Sequence, residues 1–346
     1  MSKMLEEIRE QPEALDRTLR EALPAIEELK LRLAKNRPRM ILLAARGTSD
    51  NAAQFGRYLL ETTTGIPVSL AAPSIFTLYK TPIQLDGVLV VAISQSGEST
   101  DTNVVLEVAR AQGCQTIGIT NEPASSMARL AQHVLLVRAG REKSVAATKT
   151  YTGQLMMLYL LAYALGAAID LNDLARLPDW TAQALELGPE IQARVERYRF
   201  MDHAVVVGRG LNYANAFELA LKLMETCYVI AERFSSADLM HGPIAMVEAG
   251  FPAFLFTPSG VTWPGLSGML NKLRELRAET LIVTDRSNRE ALGFGVRNLC
   301  VPAELPELYT PIPYIVPAQL FAASLAEQKG LNPDEPRTLS KVTRTL

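Results

Sequence analysis

One segment of the chain, from Ser94 to Thr102, is rich in hydroxyl side chains and has the sequence Ser-Gln-Ser-Gly-Glu-Ser-Thr-Asp-Thr. An apolar run, 87–93, precedes it, and a segment with helical periodicity, 102–112, follows it. At a strand-to-helix junction, free backbone N–H groups and the positive end of the helix dipole attract anions. Hydroxyl groups can donate further hydrogen bonds to phosphate oxygens. The segment therefore indicates a phosphate site, and the alternative is an ordinary serine-rich helix cap.

Two common nucleotide sites do not fit the sequence. The Ser94–Thr102 loop contains no lysine or arginine, and the chain has no GxxxxGK[ST] pattern, so a nucleoside triphosphate with magnesium is not implied. The glycine pair in Gly208-Arg209-Gly210 continues as Leu-Asn-Tyr, which does not complete the GxGxxG pattern of dinucleotide folds. A small phosphorylated metabolite fits the loop better.

A second group of reactive side chains follows another glycine turn. The predicted helix 215–228 carries Glu218, Lys222 and Glu225, which fall within roughly 60° of one another on one helical face. A glutamate four residues before a lysine is also the usual helix-stabilising surface pair. The position of the helix after the carboxyl end of a strand favours a functional role, because ligands of parallel sheets bind at that edge.

The chain has three histidines, and one of them lies in a turn. His133 and His203 each precede an apolar strand, whereas His241 lies in Asp-Leu-Met-His-Gly-Pro, where glycine and proline favour a loop. An imidazole on a loop can serve as a general acid or base near neutral pH. The polar end of the chain, 332–346, has the composition of a frayed tail.

Composition sets the class of protein. The chain has 346 residues, 48% of them hydrophobic and 21% charged, and a net charge of −2, so we expect no nucleic-acid or membrane-surface partner. Its three cysteines are scattered and have no metal-ligand spacing, which predicts a reducing, cytoplasmic location. The start of the chain lacks signal-peptide order, and its longest apolar stretch, 155–169, is shorter than the ~20 residues of a membrane span.

The positions of these segments repeat along the chain. Arg-Gly occurs at 46–47 and at 209–210, and Ser-Gly at 96–97 and at 259–260, each pair 163 positions apart. Thr120 and Thr284 close two further apolar strands at an offset of 164. This regularity predicts an internal duplication of strand–helix units, and hence an α/β fold with doubly wound parallel sheets.

The duplication predicts two domains with different tasks. We expect an N-terminal helical segment (1–36), a first, phosphate-binding domain (37–170), a second domain with the ionisable helix and the histidine loop (190–330), and a C-terminal tail (331–346). The loop Thr257-Pro258-Ser259-Gly260 has fewer hydroxyl groups than its counterpart at 94–97. The second domain is therefore expected to have lost phosphate binding.

Six segments in this order resemble the SIS (sugar isomerase) domain family, as found in glucosamine-6-phosphate synthase. They are Gly47-Thr48-Ser49, the Ser94–Thr102 run, Val145-Ala146-Ala147-Thr148-Lys149, Glu218-x-x-x-Lys222-x-x-Glu225, His241-Gly242-Pro243 and Pro336-Arg337-x-Leu339-Ser340-Lys341. The resemblance extends from about residue 30 to the end of the chain. It implies two tandem SIS domains, each a three-layer αβα sandwich, and a tail that closes over a sugar.

The resemblance also implies roles for individual residues. The phosphate of the substrate would be bound by Thr48, Ser49, Ser94, Gln95, Ser96 and Ser99. Val145, through its backbone, and Ser340 would contact the sugar. Glu225, with Glu218 and Lys222 beside it, would move a proton between C1 and C2. His241 of a neighbouring subunit would open the sugar ring. Lys341 would form a Schiff base with the open-chain ketose. The implied assembly is a homodimer with a shared site, a hexose or hexosamine 6-phosphate as ligand, and neither metal nor cofactor.

The sequence departs from the synthase pattern at two points. It begins Met1-Ser2-Lys3, without the nucleophilic N-terminal cysteine of a glutaminase, and Arg46 replaces a small residue. The predicted reaction is therefore conversion of glucosamine 6-phosphate to fructose 6-phosphate and ammonia. The alternatives are a synthase-like aminotransferase with a separate ammonia source, a deglycase or isomerase of a related phosphosugar, and a non-catalytic sugar-phosphate sensor.

Overall fold

The computed structural model describes residues 2–339 and 341. These residues form two compact units that interleave along the chain. The N-repeat unit comprises 13–142, 149–175 and the tail residues Leu339 and Lys341. The C-repeat unit comprises 2–12, 143–148 and 176–338. The domain boundaries expected from the sequence stay a prediction.

The N-repeat unit is built on a parallel five-stranded sheet in the order β2-β1-β3-β4-β5. Its strands are β1 (Met40–Ala44), β2 (Val68–Leu70), β3 (Val88–Ser94), β4 (Gln115–Thr120) and β5 (His133–Leu136). Its helices are α2 (Gln11–Lys35), α3 (Thr48–Thr64), α4 (Pro73–Thr77), α5 (Thr100–Ala111), α6 (Ser126–Leu130) and α7 (Lys149–Ala164). The first helix of the chain, α1 (Lys3–Arg9), belongs to the C-repeat unit, and α8 (Leu171–Leu185) begins in the N-repeat unit and continues into the C-repeat unit. Every residue of β3 is buried, which explains its unbroken apolar sequence.

The C-repeat unit contains a second parallel sheet, in the order β10-β9-β8-β6-β7. Its strands are β6 (His203–Gly208), β7 (Ile230–Ser235), β8 (Pro252–Phe256), β9 (Glu279–Asp285) and β10 (Arg297–Val301). Its helices are α9 (Gly188–Arg194), α10 (Tyr213–Cys227), α11 (Ser236–Met240), α12 (Trp263–Glu275), α13 (Arg289–Leu292) and α14 (Pro311–Gln328). From the opposite edge this order is β7-β6-β8-β9-β10, that is second, first, third, fourth and fifth strand, as in the N-repeat sheet. The shared order confirms the predicted duplication and fold class.

The strongly apolar stretch at 155–169 belongs largely to α7, a helix buried almost all the way round. It packs closely on α3, because Gly56 leaves room for Leu158: a Cβ at Gly56 would lie 2.9 Å from a Leu158 methyl group. Phe55 and Tyr159 meet edge to face nearby, with their ring centroids 5.0 Å apart. Among the described residues, no helix is both long and apolar enough to span a membrane.

Candidate active site

The first predicted site lies at the carboxyl ends of two neighbouring strands of the N-repeat unit. Strands β1 and β3 pair in parallel, with Ala44 opposite Ala92. Helix α3 begins at Thr48, shortly after β1, and helix α5 begins at Thr100, shortly after β3. Two helix N-termini, with the positive ends of their dipoles, therefore follow adjacent strand ends. This arrangement suits an anion although the 94–102 loop contains no cation.

Three serine hydroxyls at this edge each accept a hydrogen bond from the protein. Ser94 Oγ accepts from the N–H of Gly97 (3.1 Å), and Ser96 Oγ accepts from the N–H of Glu98 (3.3 Å). Ser49 Oγ accepts from Nε2 of the buried Gln154 (2.9 Å). A hydroxyl that accepts in this way keeps its own O–H to donate to another acceptor. We call the loop 94–99 and the turn 47–49 together the N-repeat cradle.

Gly97 gives the cradle its shape. Its φ is +64°, and a Cβ there would lie 2.2 Å from the Ser125 hydroxyl, so only glycine fits without a shift of the chain. Its carbonyl accepts hydrogen bonds from the N–H of Met127 (3.0 Å) and from Nδ2 of Asn103 (3.2 Å). The next side chain, Glu98, accepts from Ser126, the first residue of α6. The loop is therefore held in one conformation by the sheet edge and by α6.

Arg46, which departs from the synthase pattern, is paired with Asp101, a partner that the sequence did not indicate. Its Nε and Nη2 lie 2.9 and 2.6 Å from Oδ2 of Asp101, which is buried in the first turn of α5. The ion pair links the turn before α3 to the start of α5 and neutralises the Asp101 carboxylate beside the cradle. Burial raises the pKa of Asp50, in the first turn of α3, and the Arg46 charge partly offsets this rise.

The predicted Schiff-base residue also has a carboxylate partner. Lys341 Nζ lies 2.7 Å from Oε2 of Glu142, whose side chain is fully buried in the N-repeat unit. The same carboxylate accepts from the N–H (3.2 Å) and the hydroxyl (2.7 Å) of Thr150 in α7. Nothing in the sequence pattern joined these residues, which are 199 positions apart. The neighbouring sugar-contact candidate, Ser340, lies outside the described residues.

The second predicted site is on α10 in the C-repeat unit. Lys222 Nζ lies 2.6 Å from Oε2 of Glu225 and 3.5 Å from Oε1 of Glu218. The exposed fractions of the three side chains are 0% for Glu218, 1% for Lys222 and 23% for Glu225. We call these three residues the α10 triad.

Burial decides between the two interpretations of the α10 triad. Surface pairs of this spacing lie in water and contribute little to stability, about 0.3–0.5 kcal/mol. Here two of the three charged groups are taken out of water, which is costly and is retained only where the groups are paired. Lys222 holds Glu225 in place, and Glu225 is the member of the triad with exposed surface. It is thus the carboxylate that a small ligand can reach.

The remaining two sequence candidates lie elsewhere in the C-repeat unit. His241 is exposed on the loop after α11 and, in the part of the chain that the structure describes, forms no hydrogen bond or ion pair with the α10 triad. Val145 lies in the segment 143–148, which is held by the buried Glu7 of α1. The Glu7 carboxylate accepts from the N–H groups of Lys143 and Ser144, the latter at 3.1 Å.

The beginning of the tail is fixed to the end of the triad helix. Helix α10 ends at Cys227 and is followed by its C-cap residue Tyr228, which adopts a left-handed conformation with φ of +55°. The Tyr228 hydroxyl accepts a hydrogen bond from the N–H of Arg337 (2.9 Å). The Arg337 guanidinium lies over the Tyr228 ring, 4.3 Å from its centroid. The tail is therefore ordered at this point, three residues beyond Glu225, and is not frayed as its composition suggested.

Comparison with known proteins agrees with this architecture. The SIS-domain model matches residues 33–164 and 199–326, one match in each repeat. The chain belongs to the SIS-domain family. This SIS protein is 36% identical, over 98% of its length, to glutamine–fructose-6-phosphate aminotransferase (isomerizing) from Pyrococcus horikoshii, and equally to that from Methanothermobacter thermautotrophicus. It spans 57% and 56% of those two proteins.

Solved structures show the same likeness. The SIS protein matches the C-terminal domain of glucosamine-fructose-6-phosphate aminotransferase from Francisella tularensis with a TM-score of 0.88 and 29% identity, covering 97% of this chain and 98% of that one. A glucosamine-6-phosphate deaminase from Thermotoga maritima matches with a TM-score of 0.78 and 24% identity, covering 99% and 100% of the two chains. The second match concerns the fold alone.

Proposed function

We propose that this SIS protein is a phosphosugar isomerase that deaminates glucosamine 6-phosphate, releasing fructose 6-phosphate and ammonia. The observation that carries the proposal is the α10 triad, in which a buried lysine holds one partly exposed carboxylate in a fixed position. Moving a proton between adjacent carbons needs a single base within reach of both. Glu225 meets the requirements of charge, accessibility and fixed orientation.

The N-repeat cradle is assigned to the phosphate of the substrate. Backbone N–H groups at the starts of α3 and α5 and the hydroxyls of Thr48, Ser49, Ser94, Ser96 and Ser99, with the amide of Gln95, supply the donors. Arg46 neutralises Asp101, and the 94–102 loop contains no cation, so the anion would be held by oriented dipoles. The sugar would then contact the backbone of Val145 and the tail at Ser340.

The reaction follows from the assigned groups. His241, supplied by the second copy in a homodimer, opens the ring by moving a proton between the anomeric hydroxyl and the ring oxygen. Glu225 removes the proton from C2 and returns it to C1, while a second proton passes from the amino nitrogen to O1. The 2-amino aldehyde thereby becomes a 1-hydroxy ketimine with its C=N bond at C2. Water adds to C2 and ammonia leaves, so that glucosamine 6-phosphate and water become fructose 6-phosphate and ammonia. The Lys341 amine can replace ammonia at C2 before hydrolysis, once it has left Glu142 and lost a proton.

The test is a coupled assay of ammonia and fructose 6-phosphate after addition of glucosamine 6-phosphate. The proposal predicts equal amounts of both products. Absence of turnover, together with activity on another amino-sugar phosphate or a glycated amine phosphate, would assign the protein to a related deglycase or isomerase. Binding of sugar phosphate without any reaction would favour a sensor.

A second function, synthesis in the opposite direction, is favoured by the identity to the aminotransferases named above. In that case the protein would combine fructose 6-phosphate with ammonia from a separate source. Incubation with fructose 6-phosphate and ammonium, and then with glutamine and a candidate glutaminase partner, distinguishes the two. Formation of glucosamine 6-phosphate at a rate above that of deamination would support synthesis.

A further inference from the structure

The C-repeat unit has its own loop in the position of the cradle. Residues 257–262 follow β8 and precede α12, as residues 95–99 follow β3 and precede α5. The Ser259-Gly260 pair stands 163 positions after Ser96-Gly97. Gly260 has a positive φ of +121°, as Gly97 has one of +64°. The loop thus retains the strand, glycine turn and helix that form an anion site in the first repeat.

The 257–262 loop binds a carboxylate from the protein itself, that of Glu307. Glu307, in the connection between β10 and α14, places its carboxylate on the loop. Oε2 accepts from the backbone N–H of Val261 at 2.7 Å, and Oε1 accepts from the hydroxyl of Thr262. A Cβ at Gly260 would lie 2.1 Å from Oε2 of Glu307, so the glycine is what gives the carboxylate room.

The donors that bind Glu307 are of the same kinds as those of the N-repeat cradle. The backbone N–H of Val261 and the hydroxyl of Thr262, the N-cap residue of the thirteen-residue helix α12, donate to a carboxylate whose two oxygens occupy the place of an oxyanion. A phosphate could not enter while the carboxylate is present, because two anions at contact distance repel each other strongly. Without the carboxylate, the same N–H and hydroxyl would lack their acceptor.

We propose that the 257–262 loop is a second oxyanion site that is permanently filled by Glu307, and that removal of this carboxylate opens it to phosphate. Glu307 then acts as an internal ligand. Of the two corresponding loops, the N-repeat cradle is then the one that remains open to a phosphorylated ligand. The proposal does not depend on the reaction assigned above.

The test measures binding of inorganic phosphate to wild-type protein and to Glu307→Ala by equilibrium titration. The expected result is one additional phosphate per chain in Glu307→Ala. The matched control is Glu304→Ala, which removes an exposed carboxylate from the same connection and changes the net charge equally. It should bind the same number of phosphates as the wild type. Because the result is a difference between variants, it is independent of whether the N-repeat cradle binds phosphate.

Two further variants keep the test decisive. Glu307→Asp retains a carboxylate and Glu307→Gln retains a carbonyl acceptor, so neither should bind the additional phosphate. If Glu307→Ala is unfolded in chloride, phosphate at equal ionic strength should restore its folding, and its thermal midpoint should rise more steeply with phosphate than that of Glu304→Ala. Equal stoichiometry in all variants, or no restoration by phosphate, would overturn the proposal and leave Glu307 as a simple helix cap.

Discussion

The two repeats of this chain share one order of strands and helices but differ in the side chains at two corresponding places. In the N-repeat unit, the loop after the third strand presents serine hydroxyls that keep their own hydrogens to donate, and in the C-repeat unit the same loop is filled by Glu307. The helix after the first strand also differs between the repeats, but here it is the C-repeat unit that carries the ionisable residues. The α10 triad of the C-repeat unit has Phe55, Leu59 and Thr62 at the corresponding positions of α3, at an offset of 163.

The helix pair shows that the α10 triad is not needed to build this fold. Phe55 and Leu59 are fully buried in α3, at the positions that correspond in sequence to Glu218 and Lys222 of α10. Apolar residues of similar volume usually stabilise a core as well as a buried ion pair does, or better. The C-repeat unit therefore keeps charged residues where apolar ones can be accommodated, which indicates a chemical role.

The largest expected effect is on turnover. Glu225→Gln removes the proposed base while keeping its shape, so we expect kcat for glucosamine 6-phosphate to fall by about 10²–10⁴-fold. Binding of the sugar phosphate should persist, because the phosphate is assigned to the cradle of the other repeat. The matched control is Glu232→Gln, an exposed glutamate on β7 that should retain activity. Unchanged turnover in Glu225→Gln, measured by ammonia release, would rule out Glu225 as the base.

The next effect tests whether the triad charges are coupled. Lys222→Met leaves the buried Glu218 carboxylate without its ammonium neighbour, and we expect a loss of about 3–5 kcal/mol in the free energy of unfolding. The double variant Glu218→Gln, Lys222→Met removes both charges and should recover more than half of that loss. Urea denaturation measures both values. A double variant as unstable as the single one would show that the charges are not coupled.

The two glycine loops give a smaller, paired effect. Gly97→Ala and Gly260→Ala both force a side chain into a positive-φ conformation, which by itself costs about 1–2 kcal/mol in stability. The contact of the new Cβ with Ser125 or with Glu307 adds to this cost in each variant. Only Gly97→Ala distorts the cradle assigned to the substrate, so it alone should raise KM, by about tenfold or more, as a loss of one charge-assisted hydrogen bond would. Steady-state kinetics of both variants makes the comparison. An equal rise of KM in both would contradict the division between the repeats.

The smallest expected effect concerns the carboxylate that binds the tail lysine. Glu142→Gln keeps acceptors for Thr150 but loses the charge that faces Lys341. We expect kcat to fall by about tenfold with KM little changed, since one charge-assisted hydrogen bond of ~1.5 kcal/mol is weakened. Borohydride trapping of a lysine–sugar adduct should decrease in parallel. Glu122→Gln, an exposed neighbour in the same unit, is the control and should behave as the wild type.

The sequence predicted those features that depend on local spacing. Arg-Gly and Ser-Gly pairs at a constant offset indicated the duplication, and the two sheets have the same strand order. The starts of two helices were placed two residues late, since α5 begins at Thr100 and α10 at Tyr213, before the apolar periodicity is established. Exposure could not be predicted from spacing, so the α10 triad resembled a surface pair.

The missed features all join residues that are distant in sequence. Three contacts were missed, and they join residues 55, 199 and 46 positions apart. They are the Arg46–Asp101 pair, the Glu142–Lys341 pair and the hydrogen bond from Val261 to Glu307. Their partners are set by which strands are neighbours, and no local pattern encodes that. The same reason explains why segment 143–148 belongs to the C-repeat unit through Glu7, although it follows the strands of the first repeat.

The most direct measurement of the central claim is a crystal structure of Glu225→Gln with glucosamine 6-phosphate. The account predicts phosphate oxygens within hydrogen-bond distance of the Ser94 and Ser96 hydroxyls, Glu307 still bound to the 257–262 loop, and C1 and C2 of the open-chain sugar next to residue 225. A phosphate bound at the 257–262 loop, or a sugar remote from residue 225 of either copy, would contradict it.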